Sequence, residues 1–272
     1  MRPAGSEQQA FEIRRLSLEL ALGAGTCHIG SSLGIADVLA VLFFEVMPVD
    51  PDLPGAPLRD TFILSKAHAG SALLSALALR GTIDRAQLER EYCRDGGAFG
   101  GHAERGTPGV EISGGSLGHG LPIAVGRAIA DRLDSRHRRT YCLMGDGETD
   151  EGSVWEAAAM AGRLGLDRLV AIVDANGHQG LDRKLADDHW ERLASRFEAT
   201  SWEVTEIDGH DHAALRHALG GGEGRPRCVL AHTVKGKGLP FMEGRFDSHY
   251  RSLRPHDRER ALTALEQARV AA

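Results

Sequence analysis

Long apolar runs and aromatic residues are both scarce in this 272-residue sequence, the aromatics amounting to 5%. The longest apolar stretch, "ADVLAVLFFEVM" (36–47), is too short to span a bilayer and is interrupted by acids, so no membrane helix is expected. The N-terminal "MRPAGSEQQAFEIRR" lacks the apolar core of a signal peptide. Cysteine is sparse too. Cys27, Cys93, Cys142 and Cys228 lie far apart without paired spacing, which argues against a zinc knot or a disulfide framework and fits a reducing, cytoplasmic compartment. Basic blocks are missing, and a formal charge of −6 excludes a general polyanion binder, so nucleic acid is not an expected partner. With no repeat, low-complexity tract or linker, residues 1–272 read as one domain. It has an N-terminal helical segment (1–48) and a closing loop with a C-terminal helix (233–272).

What is present is a 42% hydrophobic chain, enough for a substantial core, with 34 glycines and 13 histidines. Apolar spacing predicts helices over 8–22 and 35–47, the second closed by Pro48, and further helices around 70–80, 117–132, 152–164, 188–197 and 211–219. Between them, "TFILS" (61–65), "RTYCLMG" (139–145), "RLVAIVD" (168–174), "WEVTEID" (202–208) and "RCVLAHT" (227–233) are apolar almost throughout, as strands buried on both faces are. Alternating strands and helices predict an α/β fold, a doubly wound, mostly parallel sheet with helices on both faces. Ligands of such sheets bind beyond the carboxyl ends of the strands.

Two of these strand ends carry chemistry. After "CLMG", Gly145 and Gly147 allow a sharp turn that presents Asp146; after "AIVD" comes Asn176, a neutral amide oxygen at the same edge. One carboxylate, one amide oxygen and a nearby backbone carbonyl form a thin shell that suits magnesium, which completes its octahedron with water and phosphate oxygens. Taken alone, "GDG" reads equally well as a tight turn and Asn176 as a helix cap.

The extended segment "GDGETDEGSVWEAAAMAGRLGLDRLVAIVDANG" resembles the thiamine diphosphate signature of transketolases. The resemblance covers residues from about 10 to 250 and implies the N-terminal, diphosphate-binding subunit of a split, two-chain transketolase. Thiamine diphosphate and Mg2+ (with Ca2+ or Mn2+ as substitutes) are then the cofactors. Asp146, Asn176 and the backbone carbonyl of His178 become the metal ligands, since neutral imidazole matches magnesium poorly. "GTCHIGSSLG" resembles the family's stretch that places a histidine, here His28, beside the reactive carbon of the cofactor. "RDTFILSKAHAGSALL" resembles a strand-to-helix turn whose histidine, here His68, contacts the diphosphate from a helix N-terminus. Lys66 in that turn reads as a solvated surface lysine. The stretch 96–120 holds ten glycines and must be a loop. By resemblance, His102 faces substrate, and Gly115, Ser116 and Leu117 lie against the aminopyrimidine and diphosphate, as Gly147 does; His119 stands where the family carries glutamine.

Glu151 matches a glutamate in the acidic chain that links two active sites across a subunit interface. "AHTVKGKGLPFMEGRFDSHY" resembles a loop that closes over the site, with His249 on diphosphate and substrate and Ser248 where a tryptophan is usual. Lys235 and Lys237 read equally well as solvated loop charges, and the histidines of "GHDHAALRHALGGGEG" as solvent-facing. The resemblance further implies that a separate chain brings the pyrimidine-binding domain, its activating glutamate and the sugar-phosphate site, as an α2β2 assembly inactive without that chain. The chemistry would be transfer of a two-carbon ketol unit from a ketose to an aldose, with His28, His102 and His249 moving protons. Three alternatives stay open: a decarboxylating relative of the deoxyxylulose phosphate synthase or 2-oxoacid dehydrogenase α type, a non-catalytic assembly subunit, and magnesium-dependent phosphoryl transfer, for which no Walker-type loop is present.

Overall fold

The computed structural model describes residues 5–47, 60–178, 188–222, 224–245 and 252–271. Five strands, β1 (Thr61–Leu64), β2 (Thr140–Gly145), β3 (Leu169–Ala175), β4 (Glu203–Asp208) and β5 (Arg227–His232), form one sheet in the order β1-β2-β3-β5-β4. Every pairing is parallel. The helices are α1 (Ser6–Ala24), α2 (Ile29–Gly34), α3 (Ala36–Val41), α4 (Gly70–Leu79), α5 (Arg85–Glu91), α6 (Gly120–Leu133), α7 (Gly152–Leu164), α8 (His189–Ala199), α9 (His212–Gly220) and α10 (Arg258–Ala271).

Continuous apolar strands are needed because each strand face meets a helical layer. Tyr141, Leu143, Val170, Ile172 and Val229 point into one core with residues of α1, α3, α4 and α9. Their neighbours Cys142, Met144, Ala171, Val173 and Leu230 point into the opposite core with α6, α7 and α8. The two-residue period of a strand thus feeds two cores from one segment. A third cluster joins the outer face of α1 (Phe11, Leu18, Leu22) to Leu239, Met242 and Leu265 of the C-terminal region.

Three expectations are corrected. The strand over 202–208 is not buried: β4 lies at the sheet edge with Glu203, Glu206 and Asp208 exposed, and such charges keep an edge from pairing with another chain. The helix expected over 35–47 begins at Ile29 and is interrupted at Ile35 (φ −93°, ψ 5°), and residues 42–46 form a wide π turn; Pro48 lies outside the described residues. Helix α5 was not anticipated, although Asp84 caps it by accepting from the Gln87 amide at 2.5 Å, an Asp-x-x-Gln start signal that the sequence does carry.

Strand order places the functional edge. β2 and β3 are adjacent and parallel, so their carboxyl ends, which lead into Asp146 and Asn176, lie together at the sheet edge where such folds bind ligands. Close packing around α7 is directly testable. A Cβ on Gly162 would sit 1.7 Å from the Thr200 carbonyl oxygen, whereas one on Gly126 of α6 would meet nothing within 4 Å. Helix propensity favours alanine at both sites by roughly 0.8–1 kcal/mol, but forced overpacking costs about 1–3 kcal/mol. In urea unfolding of the isolated chain, Gly126→Ala should raise the midpoint and Gly162→Ala should lower it.

Candidate functional site

Asp146 ends the turn out of β2 and is 2% exposed. Its Oδ1 accepts from the Gly147 amide at 2.9 Å and its Oδ2 from the Gly177 amide at 2.8 Å, so the GDG turn and the end of β3 are joined through one carboxylate. Asn176 is oriented by donating its amide to Asp174 Oδ2 at 2.7 Å, while its Oδ1 accepts from the His178 amide at 3.0 Å. Asp146, Gly147, Asn176 and His178 are therefore brought together. The His178 ring faces two carbonyls, Asn176 O at 2.7 Å from Nδ1 and Gly244 O at 3.0 Å from Nε2, which ties this edge to the loop after β5. A neutral ring donates to one of them at a time. The ring is turned toward these backbone carbonyls, and the oxygen donors of the edge suit a hard cation better than an imidazole does.

Behind this edge lies a buried charge cluster that corrects the reading of Lys66. Far from being solvated, Lys66 is 1% exposed, and its ammonium is bonded to Asp174, which is equally buried. Thr233 Oγ1 donates to the other Asp174 oxygen. Burial works against ionisation of Asp174, but Lys66, Thr233 and Asn176 together hold its carboxyl below the usual range. Asp146 goes the other way: burial, then the negative charge of Asp174, push its carboxyl up. No described lysine or arginine forms an ion pair with Asp146. A buried carboxylate hydrogen-bonded only by backbone N–H groups, with the ammonium groups of Lys66 and Lys235 acting on it without direct contact, is an arrangement that a divalent cation would complete. Lys235, 2% exposed, approaches the same cluster; burial, then the like charge of Lys66, lower its ammonium to about 8. The solvated reading fails for Lys235, while Lys237 is half-buried.

Two histidines from separate segments meet nearby. His28 stands immediately before α2 with φ 65°, a left-handed conformation, and its ring lies 5.3 Å from that of His68. His68 sits in the short turn (Ala67–Ala69) that leads into α4. The backbone of His102 packs against the start of α4, where a Cβ on Gly70 would fall 2.6 Å from the Gly101 oxygen, and its side chain is exposed. Helix α6 begins at Gly120 rather than 117, which leaves Gly115, Ser116 and Leu117 exposed in the glycine-rich loop and His119 at the helix start. A Cβ on Gly115 or on Gly145 would meet nothing within 4 Å, so both peptides border open space at this edge. Glu151, exposed at the start of α7, packs against the same loop: a Cβ on Gly118 would lie 2.6 Å from the Glu151 Cβ. His249 and Ser248 lie outside the described residues.

Glu148 is a further residue that the sequence reading passed over. It is 2% exposed, accepts from Ser65 Oγ, from the Gly118 amide at 2.8 Å and from the Gly145 amide at 3.3 Å, and its carboxyl is pushed up by burial against the pull of those donors. His210 and His212 do not face solvent as their sequence context suggests. His212 is 8% exposed, with ring contacts to Asp37 Oδ1 (3.0 Å) and Ser6 Oγ (2.7 Å). His210 bridges Asp37 Oδ2 (2.6 Å) and the Val234 amide (2.8 Å), which fixes its tautomer as Nδ1–H. Arg14 completes this cluster, and only His217 of the three faces solvent. Apolar spacing on α9 hides such a network because the partners come from α1 and α3. Among the described residues no three His, Cys, Asp or Glu side chains converge as a metal cluster.

Comparison with known proteins accords with this geometry. Residues 6–266 match the family described as "Transketolase, thiamine diphosphate binding domain". A 6-deoxy-6-sulfo-D-fructose transketolase subunit of Clostridium sp. (strain MSTE9) is 39% identical over 267 residues, spanning 96% of each chain. An apulose-4-phosphate transketolase subunit from Actinobacillus succinogenes is 37% identical, over 96% of this chain and 95% of its own. The crystal structure of transketolase from Campylobacter jejuni superposes with a TM-score of 0.86 at 33% identity, covering 97% of this chain but 42% of that one. The chain thus spans subunit-length relatives almost entirely and about two fifths of a longer transketolase. It belongs to the transketolase family, as its thiamine-diphosphate-binding part, and is a transketolase-type transferase.

Proposed function

We propose that this chain is the diphosphate- and magnesium-binding subunit of a two-chain, cytoplasmic transketolase that transfers a ketol unit between sugars. The observation that carries the reading is Asp146, a buried carboxylate without an ion-pair partner among the described residues, joined through the Gly177 amide to the segment after β3 that carries the oriented Asn176. Asp146, Asn176 and the carbonyl of His178 would hold magnesium, a cation that needs few protein ligands because phosphate oxygens and water supply the rest. Thiamine diphosphate, when bound there, would supply the nucleophilic carbon that ketol transfer requires.

The chain's own residues would bind and orient around it. His68 holds diphosphate, and Gly115, Ser116, Leu117 and Gly147 supply backbone that approaches closely. His28 and His102, with His249, bind sugar hydroxyls and carry protons to and from them. Glu151, exposed at the start of α7, would reach the acidic groups of a neighbouring protomer. We read residues 1–272 as one cofactor-binding domain, whose partner chain brings the pyrimidine-binding domain and the activating glutamate in an α2β2 complex. Support for a partner comes from the subunit names of relatives matched end to end. Support for a reducing compartment comes from four free cysteines, two of them buried. No helix among the described residues is long and apolar enough to cross a membrane.

The sugars named for those relatives, 6-deoxy-6-sulfo-D-fructose and apulose 4-phosphate, share a terminal anionic group, so ketoses of that class are the donors to test. The chain mixed with its partner should transfer a two-carbon unit from such a ketose, or from xylulose 5-phosphate, to ribose 5-phosphate. Stoichiometric carbon dioxide release instead would replace this reading with a decarboxylating one.

A further inference from the structure

The loop that would receive the cofactor is made of residues that resist ordering. Gly114, Gly115, Gly118 and Gly120 give it close backbone approach and an unusually large conformational freedom to lose. Something must fix its shape before a ligand arrives. The loop tip is exposed, yet its base is fastened at three points. The Gly118 amide donates to Glu148 Oε1 at 2.8 Å, and the Gly118 carbonyl accepts from Ser153 Oγ at 2.8 Å. The Gly120 amide donates to Ser65 Oγ at 2.9 Å, and that hydroxyl in turn donates to the same Glu148 oxygen. Glu148 Oε2 accepts from Gly145, in the turn that carries Asp146.

We propose that Glu148 is a positioning residue that staples the 114–120 loop to the GDG turn, so that the diphosphate-facing backbone and the metal-facing carboxylate are preorganised as one unit. A carboxylate suits the task because it only accepts, and all three of its partners donate. Asp146, two residues earlier, faces the other way, toward Gly177. The two acids of one turn thus divide the work, one offered to a cation and one committed to the scaffold. This inference rests on the cofactor reading above, and its test separates the two.

Hydrogen exchange at the Gly118 and Gly120 amides, measured in the cofactor-free chain, reads the staple without any ligand. Glu148→Ala should lose protection there. Its dissociation constant for thiamine diphosphate with magnesium, in the presence of the partner chain, should rise about 10–100-fold, the usual cost of removing a group that orients a ligand-binding element. Turnover at saturating cofactor should stay within a few-fold of wild type. Glu148→Gln keeps an acceptor for Ser65 and Gly118 but turns an amide donor toward the Gly145 N–H, so it should restore both readouts in part. Should Glu148→Ala fail to fold, Ser65→Ala removes the acceptor for Gly120 and should expose that amide in the same direction. Unchanged protection and affinity in these variants would overturn the inference. Absence of cofactor binding in the wild type would defeat the cofactor reading instead, while the exchange data would still decide on the staple.

Discussion

Lys66→Met is expected to destabilise the fold by about 3–5 kcal/mol, because it leaves the buried carboxylate of Asp174 without its directly bonded countercharge, with the ammonium of Lys235 acting on it only at longer range. Both side chains are 1% exposed, so water cannot replace the lost ammonium. Thr233 and Asn176 would still donate to Asp174, which keeps the loss at the lower end if those two bonds tighten. A double variant, Lys66→Met with Asp174→Asn, removes the stranded charge and should recover much of the stability, since replacing both members of a buried pair is far cheaper than breaking it. Urea unfolding of the three proteins measures this. A single variant as stable as wild type would mean that Lys66 is not paired as described.

Asp146→Asn should act in the opposite register, on binding and not on folding. The carboxyl group is already disfavoured in its charged form by burial and by Asp174, so losing the charge removes a penalty. The asparagine amide, however, must face one of the two backbone N–H groups that Asp146 now accepts from, a cost of about 1–3 kcal/mol. These terms offset one another, and the variant should fold. Its affinity for thiamine diphosphate with magnesium should fall by at least about 100-fold, because the one charged donor proposed for the metal is gone. Calorimetry on the folded variant checks it. Retained affinity would move the metal site away from Asp146.

Sequence pattern conveyed the architecture wherever a residue's environment follows from its neighbours along the chain. The continuous apolar runs of β2, β3 and β5 announced burial on both faces, and glycine density announced the loop before α6. The GDG turn and Asn176 announced a shared edge because parallel strands put their carboxyl ends together. What stayed hidden depends on contacts between distant segments. Lys66 gains its partner 108 residues away, and His210 and His212 gain Asp37 at 173 and 175 residues. A polar residue in a helix or turn reads as solvated unless the buried group that satisfies it can be named, and nothing local names it. Glu148 was overlooked for a related reason: a Glu in the first turn of a helix-like segment ordinarily complements the dipole, and only the folded loop shows three donors aimed at it. Only Val204 and Ile207 of the six β4 residues are apolar, so its exposure is legible in the sequence, while its place at the sheet edge is a property of the whole chain.

In the proposed function the Asp146–Asn176 edge holds the diphosphate of the cofactor through a divalent cation. The most direct test is calorimetric titration of thiamine diphosphate into this chain together with its partner, once with magnesium and once with a chelator. Saturable binding, one cofactor per copy of this chain, that disappears with the chelator and with Asp146→Asn is the predicted result. Binding that persists without a divalent cation, or none at saturating cofactor and magnesium, would contradict it.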